Sequence, residues 1–328
     1  MQVGFLGTGA AQPRRRVNTQ ELASLWGANA SSLVADTGVL ERFYAREDET
    51  SISLGVAAAR QALDAAGIKP EELDLILSAS AIPYQALPAT APLYQRELGA
   101  GTVPAFDVNA SCLSFVCAAD MARAMIQTGR ARKVLVVSSE LASRGLPWHD
   151  QPETAALFGD GAAAAVLGEV PEGTGIQAVA MKTFPQAYEA CQVQVGGTRH
   201  DIHDDPKAYQ EKAWFRMEGQ ALYKLTARHI KGFVGQVLEQ SGWSMEDVDL
   251  VIPHQASRGG IDHAVRLLGL HEDQVVDILA SHGNQVAASI PTTLHAAVTQ
   301  GRLPSGTKAL IVGTSAGVSL GAMTWIAP

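Results

Sequence analysis

The sequence predicts an α/β fold built from two duplicated halves, and three observations carry that expectation. Short apolar runs alternate with helical patterns along the 328 residues, which implies layered strands and helices with mostly parallel sheets. A segment recurs: Gly67-Ile-Lys-Pro-Glu-Glu-Leu-Asp-Leu-Ile-Leu77 is echoed by Gly242-Trp-Ser-Met-Glu-Asp-Val-Asp-Leu-Val-Ile252, and Lys133-Val-Leu-Val-Val137 by Lys308-Ala-Leu-Ile-Val312. Both pairs stand 175 residues apart, a period that means a duplicated domain rather than a solenoid. No low-complexity linker divides the chain. The expected halves are residues 1–170 and 171–328.

Taken in order, Met1 to Leu6 enters a strand-like segment with no basic n-region, so no secretory signal is expected. The Arg14-Arg15-Arg16 run reads as a solvated turn. Ile52 to Ala66 reads as an amphipathic helix closed by Gly67. Buried strands are expected at Leu73–Ala79, Lys133–Ser138, Ala162–Leu167, Leu250–Pro253 and Ala309–Val312. A strand ending near Val108 is followed by a long Ala-rich helix reaching Thr128-Gly129.

Composition narrows the function. Hydrophobic residues make up 47% and charged residues 18%, an ordinary globular balance. No apolar run has the ~18 residues of a membrane span. A net charge of −8 disfavours nucleic acid, whose phosphates need a basic field. Three cysteines argue against a disulfide framework and for a reducing compartment, the cytoplasm.

Four segments could carry chemistry. Cys112, in Phe106-Asp-Val-Asn-Ala-Ser-Cys112, falls at or just inside a helix N-terminus, where free N–H groups favour thiolate and lower the thiol pKa. That suits a nucleophile; Cys117, on another helical face, reads as a buried packing residue. The Cys112–Cys117 spacing fits no zinc site, and no metal is expected. His254, in Pro253-His254-Gln-Ala, follows a buried strand, where ligand sites of open α/β sheets collect. Asn284, in Ser281-His-Gly-Asn284, precedes a small-residue helix; counted back from Gly129-Arg130 and Gly301-Arg302, it matches Cys112. The loop Gly313-Thr-Ser-Ala316-Gly317 can present N–H groups to an oxyanion. The Gly4-Phe-Leu-Gly7-Thr-Gly9 run lacks the third glycine of a dinucleotide loop and is rejected as one.

Together these segments resemble the β-ketoacyl-acyl-carrier-protein synthase III family of the thiolase superfamily. The resemblance runs from Gly7-Thr-Gly9 through Thr37-Gly38-Val-Leu-Glu-Arg42, Phe158-Gly-Asp-Gly161, Pro253-His254-Gln-Ala and His282-Gly-Asn284 to the Gly-rich C-terminus. It implies a thiolase-like five-layered αβαβα fold, a homodimer, and a two-stage reaction without a tightly bound cofactor. Cys112 would accept an acyl group from a thioester of coenzyme A or acyl carrier protein, with the N–H groups of Cys112 and Ala316 as oxyanion hole. His254 and Asn284 would then hold a malonyl thioester as it loses carbon dioxide. Fatty-acid or polyketide-like biosynthesis is the implied setting.

Departures from the family pattern shape the remaining expectations. Ser32, Pro152 and Asp36 stand where relatives place an adenine-clamping tryptophan and arginines, which puts tight coenzyme A binding in question; Trp26 or Trp148 could substitute. Leu87 replaces an aromatic that crosses a dimer interface, and with Gly317 it is assigned to the acyl pocket. Lys224, Arg258 and Arg266 are assigned to carrier-protein docking. The Phe184–Phe215 stretch, with His200, Asp201, His203, Asp204 and Asp205, reads as a variable cap rather than a metal site. The alternative reaction is acyl transfer from Cys112 to an oxygen or nitrogen nucleophile. A non-catalytic subunit and a papain-like hydrolase fit less well, given the retained Cys, His and Asn and the duplicated halves.

Overall fold

The computed structural model describes all 328 residues. Two sheets stack with helices outside and between them. The first sheet runs in the order Gln2–Ala11, Gly161–Val170, Val134–Glu140, Leu75–Ser78, Ala105–Asp107. The second runs Gly175–Thr183, Ser319–Ile326, Lys308–Ser315, Leu250–Pro253, and a parallel bridge from Val251 to Val275 continues it. The helix Ser51–Ala66 packs on the outer face of the first sheet. Helices Gly219–Gln240 and Arg258–Leu268 cover the outer face of the second. Between the sheets lie Ser114–Gln127 and Ser289–Thr299, in a core of 29 residues drawn from both sheets and both helices.

That central layer explains the composition. A helix pressed from both sides needs small residues, and Ser114–Gln127 buries Ala118, Ala119 and Ala122 completely. Strands such as Val134–Glu140 are buried at every position, as expected when helices cover both faces. Phe115 stacks on Phe5 with ring centroids 5.9 Å apart; Phe115→Ala costs about 3–5 kcal/mol. The glycines of the rejected nucleotide motif are packing residues. A Cβ at Gly7 would lie 2.4 Å from the Ala62 carbonyl and one at Gly9 2.3 Å from that of Ala58, so both let the first strand touch helix Ser51–Ala66.

Two sequence expectations are corrected. The sheets are mixed: Leu75–Ser78 is parallel to both neighbours and Leu250–Pro253 to Lys308–Ser315, but the strands beyond them pair antiparallel. Where such neighbours are consecutive, as Val134–Glu140 with Gly161–Val170 and Lys308–Ser315 with Ser319–Ile326, the connection lacks the long helical crossover that a parallel pair requires. The arginine run is a strand, not a turn: Arg15–Asn18 pairs with Glu41–Tyr44, and Arg14, Arg15 and Arg16 pair with Asp48, Glu21 and Glu41.

The 175-residue echo is structural. Asp74 Oδ2 accepts from the Lys133 N–H at 3.0 Å, and Asp249 Oδ2 from the Lys308 N–H at 2.8 Å. Lys133 Nζ lies 2.8 Å from Glu72 and Lys308 Nζ 2.9 Å from Asp247. Ser111 (φ 53°) and Val286 (φ 52°), the two non-glycine residues with positive φ, are also 175 apart. So are Ser114 and Ser289, which begin the central helices. In this register Asn284 matches Asn109 and Cys112 matches Ala287, which overturns the expected equivalence of Cys112 and Asn284. The central helices are 14 and 11 residues long. Counting back from Gly129 and Gly301 crossed that three-residue difference.

Candidate active site

Cys112 sits in the turn that leads into helix Ser114–Gln127, just before its first residue rather than inside it. Asn109 Oδ1 accepts from the Ser111 N–H at 2.9 Å, and Ser114 Oγ accepts from the Ala110 N–H at 3.0 Å while donating to the Ser111 carbonyl at 2.6 Å. These bonds hold Ser111 in the left-handed region, a local strain of the kind found at functional turns. Next to it, Leu113 nests against two glycines. A Cβ on Gly313 would come within 3.2 Å of Leu113 and 2.9 Å of His254 Cβ, and one on Gly321 within 3.0 Å of Leu113. Both glycines therefore let the cysteine turn pack directly on strands Lys308–Ser315 and Ser319–Ile326, and Gly313 lets His254 do the same.

The Cys112 thiol faces the backbone N–H of Ala316. Burial pushes its pKa well above the ordinary thiol range, and the nearby Cys191 and Glu140 add to the shift. The expectation of a lowered pKa is thus reversed: desolvation of the thiolate outweighs the hydrogen bonds from the Cys112 and Ala316 N–H groups.

His254 follows strand Leu250–Pro253, its N–H bonded to the Val312 carbonyl at 2.8 Å. Burial lowers its pKa to about 4, so the imidazole is neutral and has one N–H to give. Nδ1 is buried without a partner. Gln255 fixes the loop beside it: its N–H donates to Ser289 Oγ (2.8 Å), its Nε2 to the Pro253 and Val276 carbonyls (3.0 Å each), and its Oε1 accepts from Ile278 (3.1 Å). Sequence reasoning gave Gln255 no role, although it lies within the quoted His254 motif.

Asn284 has its oxygen committed, since Oδ1 accepts from the Val286 N–H at 2.8 Å. That bond fixes the amide orientation, leaving Nδ2 as the available donor with one long contact to the Ala256 carbonyl at 3.4 Å.

Cys112, His254, Asn284 and Ala316 line one cavity of about 490 Å³, in which 22 of 36 lining residues are hydrophobic. One wall is made by helices Gly219–Gln240 and Arg258–Leu268, with Leu222, Tyr223, Ile230 and Ile261. The cap contributes Cys191, Val193 and Phe215, and Met217 follows just beyond it. Cys191, which had no motif around it, is thus a cavity residue. Cys117 lies outside, its sulfur 2.9 Å from that of Met181.

Other expected site residues lie elsewhere. Gly317 does not line the cavity, although Ala316 and Val318 do. Leu87 is 85% exposed on a surface loop, away from this chain's own cavity. Lys224 and Arg266 are exposed. Arg258 is half-buried and held by Asp277 at 2.6 Å and Asp262 at 3.5 Å, so its charge is already matched and it is a poor docking residue. Trp148 is buried beneath Trp26, the two rings stacked at 6.0 Å.

Sequence reasoning also passed over Glu140. It is fully buried at the end of strand Val134–Glu140, accepting from the N–H groups of Ala81 (2.5 Å) and Ile82 (3.3 Å), with the Ala287 N–H on its other side. Burial raises its pKa to about 8. The available signal was a carboxylate closing a strand buried at every position, Val134-Leu-Val-Val-Ser-Ser-Glu140.

Comparison with known proteins decides what this arrangement belongs to. Residues 106–185 match the family model described as 3-oxoacyl-[acyl-carrier-protein (ACP)] synthase III, and residues 238–326 match that of its C-terminal part. A β-ketoacyl-[acyl-carrier-protein] synthase III of Sphingopyxis alaskensis is 37% identical over 318 residues, 96% of each chain. The chain belongs to the β-ketoacyl-[acyl-carrier-protein] synthase III family. Among solved structures, the synthase III of Aquifex aeolicus superposes with a TM-score of 0.90 at 33% identity, covering 99% of both chains. The priming β-ketosynthase of the R1128 polyketide pathway gives 0.92 at 29% identity, over 100% of this chain and 96% of that one. This synthase is therefore a condensing enzyme of the acyltransferase class with a thiolase-like fold. No helix is long and apolar enough to cross a membrane.

Proposed function

We propose that this synthase transfers an acyl group from a thioester to Cys112 and then condenses it with a malonyl thioester carried by acyl carrier protein. The observation that carries the reading is the convergence of the Cys112 thiol, the Ala316 N–H, the neutral His254 and the oriented Asn284 amide on one apolar cavity.

In the first stage Cys112 Sγ bonds to the acyl carbon. The donor sulfur leaves and takes up the proton that the thiol gives up. The Cys112 and Ala316 N–H groups hold the oxyanion. A malonyl thioester then loses carbon dioxide, and the electrons of the broken C–C bond pass into an enolate. Charge gathers on the thioester oxygen, where His254 and Asn284 each donate a hydrogen bond. The enolate carbon attacks the acyl-cysteine, and collapse of the tetrahedral intermediate releases Cys112 and a β-ketoacyl thioester. The mostly apolar lining of the cavity strengthens these hydrogen bonds.

The docking surface of this reading lies on helix Gly219–Gln240, where Lys224, Arg228 and Lys231 are exposed at a spacing that shares one face, with exposed Arg266 on the neighbouring helix. An acidic carrier protein suits that stripe. The exposed Leu87 serves the acyl pocket of a second copy in a homodimer. Residues 1–170 and 171–328 act as the two duplicated units, the first bringing the nucleophile and the second the His–Asn pair. The reaction runs in the cytoplasm on thioesters alone. Carbon dioxide release from malonyl-acyl carrier protein, measured with the acylated enzyme, tests the reading; transfer to an alcohol or amine without carbon dioxide release would replace it.

A further inference from the structure

The cysteine turn and the asparagine turn come from different halves of the chain, yet one side chain touches the support of both. We propose that Glu140 is a positioning residue for both stages, anchoring the nucleophile turn through Ala81 and Asn109 and the asparagine turn through Ala287.

On the nucleophile side the connections are direct hydrogen bonds. Glu140 Oε1 accepts from the Ala81 N–H at 2.5 Å and Oε2 from that of Ile82 at 3.3 Å. The Ala81 carbonyl accepts from Asn109 Nδ2 at 2.9 Å, and Asn109 Oδ1 in turn holds the Ser111 N–H at 2.9 Å, one residue before the nucleophile. On the other side the strand that ends at Glu140 packs against the turn Val286–Ala288, with the Ala287 N–H toward the Glu140 carboxyl. Ala287 directly follows Val286, whose N–H orients the Asn284 amide.

The choice of a carboxylate follows from counting donors. Three backbone N–H groups converge on two oxygens, no cation pairs with Glu140, and the side chain is fully buried. The ionised form satisfies all three, and these donors oppose the burial that raises its pKa to about 8. A glutamine would turn its own NH₂ toward an N–H, leaving a buried donor unpaired. When ionised, Glu140 also opposes ionisation of the Cys112 thiol, adding to the larger effect of burial. Tyr94 and Asp160 are the other titratable groups facing it.

This inference rests on Cys112 and Asn284 being catalytic, and the test separates the two. Wild type, Cys112→Ala, Asn109→Ala, Asn109→Asp and Glu140→Gln are compared for acyl loading of Cys112 and for decarboxylation of malonyl-acyl carrier protein. Folding is followed by thermal melting. Glu140→Gln is expected to slow both steps about ten- to hundredfold with KM nearly unchanged, and to move the alkylation profile of Cys112 by iodoacetamide to lower pH as the opposing charge is lost. The exposed Asn109 lets its variants fold even if Glu140→Gln does not. Asn109→Ala slows loading more than decarboxylation. Asn109→Asp, which keeps the bond to Ser111 but loses the one to Ala81, falls between it and wild type. A folded Glu140→Gln enzyme with wild-type rates and profile overturns the inference, as does Asn109→Ala with wild-type loading. Continued loading of Cys112→Ala would instead remove the catalytic reading.

Discussion

The turn at Asn109–Cys112 and the turn at Asn284–Ala287 share one backbone and do different work. Each opens with an asparagine whose oxygen accepts the N–H two residues on, passes through a left-handed residue, and leads into a central helix. After that they diverge: one presents a thiol at position 112, the other a methyl at 287. The asparagines differ as well. Asn109 is exposed and spends its Nδ2 on the Ala81 carbonyl, whereas Asn284 is buried and keeps its Nδ2 for the cavity. The strand ends show the same division, with Ala79 in one half where the other has His254, both N–H groups bonded to matching carbonyls. Duplication supplies two equal frames, and single side chains on them set nucleophile against enolate stabiliser.

The largest effect comes from making the two turns alike. Cys112→Ala gives the first turn the side chain of the second and should lower condensation by more than about 10³-fold, read as product formed from acyl donor and malonyl-acyl carrier protein. Disabling the other frame should separate the stages. His254→Ala or Asn284→Ala lowers decarboxylation about 10²–10³-fold while Cys112 still loads in a single-turnover assay; equal loss of both stages would break the division of labour.

The histidine adds a pH signature. Its folded-state pKa is depressed to about 4 from an ordinary ~6.5. It therefore contributes stability that is complete above pH ~6.5 and declines as pH falls toward 4, when a buried imidazole must charge. Melting curves from pH 7 to 4 should fall less steeply for His254→Ala than for wild type.

Smaller effects lie outside the two turns. Lys224→Glu with Arg266→Glu should raise KM for a carrier-borne substrate about tenfold, increasingly at low salt, without changing turnover of a short free thioester. Arg258→Ala should cost stability instead, because it strips Asp277 of its partner. The finest test of symmetry is Asp74→Ala against Asp249→Ala: each loses a matched bond to a lysine N–H, worth about 0.5–1.5 kcal/mol, but Asp74 also accepts from the Arg132 N–H at 2.8 Å, so its loss should be the larger by about one such bond.

Much of this was legible in the sequence where the physics is local. Buried strands announce themselves as apolar runs, and Leu250–Pro253 and the helix ending at Gly67 fall where periodicity and the C-cap glycine place them. Cys112, His254 and Asn284 were recognisable because each lies in a short, distinctive frame. What depended on three-dimensional closure was not legible. Cys191 reaches the cavity because its strand pairs with Arg216–Met217 across a cap of no regular pattern. The pairing of Arg258 with Asp262 was readable as an i,i+4 spacing, but that with Asp277 needed the fold. The pKa of Cys112 was misjudged because helix position is visible in sequence and desolvation is not. The misplaced symmetry match had a similar cause, since a helix three residues shorter is hidden when alignment is anchored beyond it.

The central claim, that Cys112 receives the acyl group, is tested most directly by intact-protein mass spectrometry. Wild type and Cys112→Ala would be incubated with acyl thioesters of graded length, carried by coenzyme A and by acyl carrier protein. The account predicts a mass increase of one acyl group on wild type and none on Cys112→Ala. An adduct retained by Cys112→Ala, or wild-type turnover with no acyl-enzyme from either carrier, would contradict it.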